Sequence, residues 1–118
     1  MKLITLAVLF VGACGLTLKS EAQTWIQTTA PNLHWQSIAS SADGRKLVAV
    51  ADNNAGNTGA IYTSTNSGIT WMNNAPNTTW NSVASSADGN YLAATVWLGG
   101  IYTSTNAGSS WTKRPCKN

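Results

Sequence analysis

Few residues in this sequence carry chemistry, and their spacing decides what they can do. The segment after Ala22 holds three aspartates (Asp43, Asp52 and Asp88), no glutamate, one histidine (His34) and two arginines (Arg45 and Arg114). Asp43 and Asp88 would be the pair of carboxylates for glycoside hydrolysis. Each, however, stands in the same Ser-Ala-Asp-Gly run, where an Asp side chain bonds its own turn and Gly takes positive φ. Both therefore read as turn residues. His34 is replaced by Thr79 where the sequence repeats, and no Cys/His cluster or hydroxyl–His–carboxylate arrangement assembles around it. Asp52 with Asn53 and Asn54 offers oxygen ligands, but without the spacing of a calcium loop. No glycine-rich loop opens a helix to hold a phosphate. The expectation is a protein with no catalytic residues, no metal and no cofactor.

The elements that position these residues come from a duplication. HWQSIASSADGRKLVAV (His34 to Val50) lies over TWNSVASSADGNYLAAT (Thr79 to Thr95), and AIYTSTNSGITW (Ala60 to Trp71) lies over GIYTSTNAGSSW (Gly100 to Trp111). Within the first copy, Trp35 to Ser40 runs to an Ala-Asp-Gly turn and Lys46 to Ala51 returns. Ile61 to Thr65 then leads into Asn66-Ser67-Gly68, and Thr70 to Asn73 comes back. The predicted strands are short, rich in β-branched or small residues and free of Pro. Leu47 to Ala51 and Leu92 to Val96 lack a polar alternation, which predicts cover on both faces. Four strands in roughly 40–46 residues match a propeller blade; a small β-sandwich is the alternative.

Function is left to what the copies do not share. The loop between the second and third strands is Asp52 to Gly59 in the first copy and Trp97 to Gly100 in the second. Five of the six tryptophans repeat: Trp35 and Trp80 on the first strand, and Trp25, Trp71 and Trp111 at fourth-strand positions. They read as framework. Trp97 is the exception, either a plug against a neighbouring blade or a stacking platform for a sugar. Trp97, Asp52 and Asn53 are thus the candidate ligand-binding residues.

Charged residues make up only 9% of the chain, and six Trp are present, which excludes a highly charged disordered polymer. The net charge of +3 includes Lys2 and Lys19 near the start, while Lys113, Arg114 and Lys117 crowd the C-terminus. Positive charge is a tail feature and lines no face, so no nucleic-acid partner is expected. Residues 1–22 read as a signal peptide, with Lys2, an apolar run, and small residues at Ser20 and Ala22 before the cut. That run is about 16 residues, short of the roughly 18–20 that span a bilayer, so no stable membrane span is expected. The chain is expected to be secreted or extracytoplasmic. The alternative is a lipid anchor through Cys14 in Val11-Gly12-Ala13-Cys14. Cleavage after Ala22 leaves Cys116 as the sole cysteine, an inter-chain partner or a free thiol.

STNSGITW (Ser64 to Trp71) and STNAGSSW (Ser104 to Trp111) resemble the Asp-box, or bacterial neuraminidase repeat, S-x-D-x-G-x-x-W. Asn66 and Asn106 replace the Asp, and an amide oxygen can accept the same backbone bonds. The matching positions are Ser64, Asn66, Gly68 and Trp71, and Ser104, Asn106, Gly108 and Trp111. The resemblance covers about Trp25 to Trp111 and implies a sialidase-like β-propeller, in which the box is a structural device. It also implies what a sialidase would need, an arginine triad, a Tyr–Glu pair and an acidic proton donor, and the two arginines and missing Glu depart from that.

The expected fold is therefore all-β, with two four-stranded antiparallel propeller-type blades. The expected division is 1–22 signal peptide, 23–69 first blade, 70–111 second blade and 112–118 basic tail. Two blades cannot close a ring, so a homo-oligomer or another propeller fragment is the expected partner, three chains giving six blades or four giving eight. Thr24-Trp25 and Ser110-Trp111 both resemble the opening of a fourth strand, which predicts a swapped closure. The expected function is an exported, non-catalytic binding module with glycan as the ligand class. The alternatives are a structural or protein-interaction scaffold and a truncated fragment of a larger propeller.

Overall fold

The computed structural model describes residues 24–52 and 59–115. The expected signal peptide with Cys14, the loop residue Asn53, and Cys116 lie outside the described residues. The strands are β1 (His34–Ser40), β2 (Leu47–Asp52), β3 (Ala60–Ser64), β4 (Met72–Asn73), β5 (Trp80–Ser85), β6 (Leu92–Val96), β7 (Ile101–Ser104) and β8 (Thr112–Arg114). They form two four-stranded antiparallel sheets, each in simple chain order: β1-β2-β3-β4 and β5-β6-β7-β8. The described residues contain no helix, and hence none long and apolar enough to cross a membrane.

The local chemistry of the turns explains the strand order. In the β1–β2 turn the Ser41 hydroxyl donates to Asp43 Oδ1 at 2.6 Å and accepts from the Lys46 amide at 3.0 Å. The Arg45 amide closes on the same carboxylate oxygen at 3.1 Å, and Gly44 takes φ 72°. Ser86, Asp88, Asn90, Tyr91 and Gly89 rebuild this turn in the second sheet, bond for bond. The buried Ser41 is thereby satisfied, which a core hydroxyl requires.

The β3–β4 hairpin is built the same way. Ser64 Oγ accepts from the Gly68 amide at 2.9 Å and donates to Asn66 Oδ1 at 3.0 Å, while the Thr70 amide donates to Asn66 Oδ1 at 2.9 Å. Ser104, Gly108, Asn106 and Ser110 repeat these bonds around β7 and β8. Because the Thr70 amide is engaged by Asn66, the fourth strand begins only at Met72 and is shorter than expected. Two successive residues of each hairpin have positive φ: Ser67 (58°) and Gly68 (84°), and Ala107 (55°) and Gly108 (84°).

The core lies between the sheets. Val48, Val50 and Ile61 from one face of the first sheet pack with Trp80, Val83, Leu92 and Ala94 of the second. Alternation makes this possible, since Val48, Val50 and Ile61 share one face while Leu47 and Ala49 point to the other. Each of the Val, Leu and Ile side chains contributes about 1.5–3 kcal/mol when fully buried. Polar bonds fix the docking: the Val83 amide donates to Ser37 Oγ at 3.3 Å and the Ala42 amide to the Ala87 carbonyl at 2.8 Å. Trp80 packs edge-on against Tyr102, with centroids 5.0 Å apart, and donates its Nε1–H to the Pro76 carbonyl at 3.2 Å.

Four expectations change. The division at 69/70 falls ahead of β4, whose Met72 and Asn73 pair with Thr63 and Tyr62 of the first sheet. Thr112 to Arg114, expected in a tail, forms β8 on the edge of the second sheet. Trp25, expected at a fourth-strand position, lies outside any strand and is 94% exposed, and each sheet draws its fourth strand from the residues just after its own hairpin. Finally, Val48 to Ala51 of β2 are all buried, whereas Ala93 in β6 is exposed because no sheet lies over that side.

Candidate functional site

The end of each sheet where the first strand begins and the second ends forms a rim, and the residues that differ between copies stand there. In the first sheet His34 pairs with Asp52 across β1 and β2. The ring nitrogen Nδ1 lies 2.7 Å from Asp52 Oδ1, with the His34 side chain 55% exposed. A bulge between Trp35 and Ser37 sets Gln36 out of register, and its amide donates to Asp52 Oδ2 at 2.7 Å. Gln36 Nε2 also lies 3.0 Å from His34 Nδ1, so the three side chains form one exposed polar cluster. The arrangement can present an oriented imidazole and a carboxylate to a polar ligand.

The second sheet has the same bulge, between Trp80 and Ser82, but a different rim. Thr79 stands for His34 and Trp97 for Asp52. The Trp97 amide donates to the Thr79 carbonyl at 2.8 Å, so the backbone holds the position while the side chain changes. Trp97 is 65% exposed and Leu98, at φ 51°, is almost wholly so. Together they form an apolar tip on the tight turn that replaces the longer loop.

Of the expected binding residues, Asp52 joins His34 and Gln36, Trp97 stands at the equivalent place on the other sheet, and Asn53 lies outside the described residues. The His34–Asp52 pair and Gln36 were not foreseen. Only the strand register could have shown them, because His34 and Asp52 are the terminal partners of the β1–β2 ladder. Among the described residues no group of three or more His, Cys, Asp or Glu is placed to hold a metal.

Asp43 and Asp88 sit in the turns at the opposite end of the strands. Their carboxyls are held below the usual value, first by the Ser41 or Ser86 hydroxyl and then by the Arg45 or Asn90 amide, with burial acting weakly the other way. The tryptophans of the hairpins are not wholly alike. Trp71 donates its Nε1–H to the Gly68 carbonyl at 3.1 Å, whereas the buried Trp111 Nε1 makes no hydrogen bond among the described residues.

A second candidate region is a groove of about 400 Å³ on the outer face of the first sheet, lined by Trp35, Ile38, Leu47, Ala49, Trp71 and Thr28. Its walls are apolar. A scan against protein-family models finds no match for the chain, and a search among curated proteins finds none either.

Proposed function

We propose that the chain is an exported, non-catalytic repeat module of the Asp-box propeller type, and that it binds a glycan through its rim. The observation that carries the binding reading is Trp97, an indole two-thirds exposed on the one loop that the copies do not share. An exposed flat aromatic face stacks on the apolar side of a sugar ring, while His34, Gln36 and Asp52 offer donors and acceptors of the kind that read hydroxyl groups. The blade reading is supported by the two Ser-x-Asn-x-Gly-x-x-Trp hairpins, whose matching bonds make them construction elements. The turn bonds of Asp43 and Asp88 support a structural role for both carboxylates.

A glycan array probed with the exported chain and with Trp97→Ala tests the ligand. Reproducible binding to one sugar class, lost on substitution, supports the reading. Failure of every glycan turns the assignment to the second reading, an interaction scaffold. That reading is favoured by a separate observation, the open apolar face around Trp35 and Ile38.

A further inference from the structure

The contact between the two sheets is a template for a second contact. In the middle of the molecule Trp80, Val83, Leu92 and Ala94 of the second sheet meet Val48, Val50 and Ile61 of the first. The first group has its register equivalents at Trp35, Ile38, Leu47 and Ala49, which line the open groove. The second group has its equivalents at Ala93, Thr95 and Ile101, on the uncovered face of the second sheet. Each end of the stack therefore carries one half of the interface that joins its centre. The geometry points to a head-to-tail docking in which the groove of one chain receives the outer face of the second sheet of another copy.

Three details fit that occupant. Ile38 is one methylene larger than Val83, and Ala93 is smaller than Val48, so volume moves between the facing surfaces in a compensating direction. Ser82 stands where Ser37 does, which leaves a hydroxyl on the second copy to accept the Ile38 amide, as Ser37 accepts that of Val83. Gly108 seats the side chain of Thr63 in the existing interface, and Gly68 seats Thr28 in the same way, with Thr28 Cγ2 2.8 Å from where a Cβ would stand. Thr28 thus holds the seat of Thr103 of a second copy. Docking displaces the segment that Thr29 Oγ1 tethers to the Ile69 carbonyl. A contact of this kind uses different patches on the two chains, so it propagates until rotation closes a ring. The inference rests on the blade reading and is independent of the glycan.

Sedimentation of the exported chain and of two variants tests it. Ile38→Asp and Ile101→Asp each place a charge on one half-interface, at side chains 64% and 45% exposed in the single chain, so both variants keep the fold and its circular dichroism. The wild type is expected at about three- or four-fold the single-chain mass. Either variant alone is expected at the single-chain mass, and an equal mixture of the two forms a species of two chains, because each retains the half that the other lacks. Assembly that survives Ile101→Asp, or a mixture that stays at the single-chain mass, overturns the proposal. Ala93→Arg repeats the test on the same face should Ile101→Asp fold poorly. Sugar binding by the single-chain variants is scored separately on the array, so loss of assembly with binding retained leaves the ligand reading standing.

Discussion

The two sheets have nearly the same framework and bury it to different extents. Trp80 is 2% exposed and its counterpart Trp35 is 37% exposed; Val83 is 8% exposed and Ile38 is 64% exposed. Their own sheets do not cause this. Trp35 keeps the aromatic neighbours that Trp80 has, Tyr62 edge-on at 5.6 Å and Trp71 at 6.4 Å, just as Trp80 has Tyr102 at 5.0 Å and Trp111 at 6.3 Å. What differs is the neighbour above. The first sheet lies over Trp80, while over Trp35 there is a groove and the edge of the segment at Thr28. A residue's burial in such a chain is set by the stacking of units, as in other repeat architectures.

Removing the indoles separates the two sheets most strongly. In urea unfolding of the single chain, Trp80→Ala is expected to cost about 3–5 kcal/mol through lost packing and a cavity. Trp35→Ala is expected to cost about 2 kcal/mol, since its two aromatic contacts are worth about 0.5–1.5 kcal/mol each and part of its surface is already in solvent. Equal losses would mean that the sheets do not depend on each other as described.

The hairpin glycines give a smaller difference. Both Gly68 and Gly108 have φ 84°, a conformation that costs a side chain about 1–3 kcal/mol. An added methyl at Gly108 would overlap Thr63 on strand β3, whereas at Gly68 it meets Thr28, which lies outside any strand. In the single-chain Ile101→Asp background, where Thr28 keeps its seat, Gly108→Ala is therefore expected to lower the melting temperature more than Gly68→Ala does. The reverse order would show that the Thr28 segment is held as firmly as a strand.

Substitution of the hairpin asparagines sharpens the equivalence of the copies. Asn66→Ala and Asn106→Ala each remove the acceptor for a backbone amide and a hydroxyl, a loss of about 1 kcal/mol. Asn66→Asp and Asn106→Asp are expected to stay within about 0.5 kcal/mol of the wild type, because the Thr70 and Ser110 hydroxyls can turn from accepting to donating.

The smallest effect is one the copies share. Asp43 and Asp88 have lowered pKa values in the folded chain, caused first by the Ser41 and Ser86 hydroxyls. A lowered folded value contributes stability above the ordinary 3.8 and loses it as pH falls through the folded value. Melting temperatures followed downward from about pH 5 should fall below that point. Asp43→Asn with Asp88→Asn should flatten the acid limb, and an unchanged limb would assign it elsewhere.

Most of the framework was legible because it is local and repeated. The Ala-Asp-Gly turns and the Ser-x-Asn-x-Gly-x-x-Trp hairpins are closed by side chains two to five positions from their partners, so the sequence displays the bonds directly. Strand ends were less legible, since the Asn66 side chain competes with the ladder for the Thr70 amide. Positive φ at Ser67, Ala107 and Leu98 left no signal, as none of the three is Gly, Asn or Asp. The cluster of His34, Gln36 and Asp52 was hidden for a different reason. It depends on the register of β1 against β2 and on a bulge that no residue type announces. Asp52 reads from the sequence as a loop residue and is the last residue of a strand.

The central claim is that the two sheets are equivalent units and that the uncovered faces are interface. Light scattering on the chain from Gln23 onward, over a range of concentrations, decides between one chain and several. The expected result is a mass of several chains that persists on dilution and a Trp35 environment that becomes as shielded as that of Trp80. A well-folded species at the mass of one chain at every concentration would contradict it.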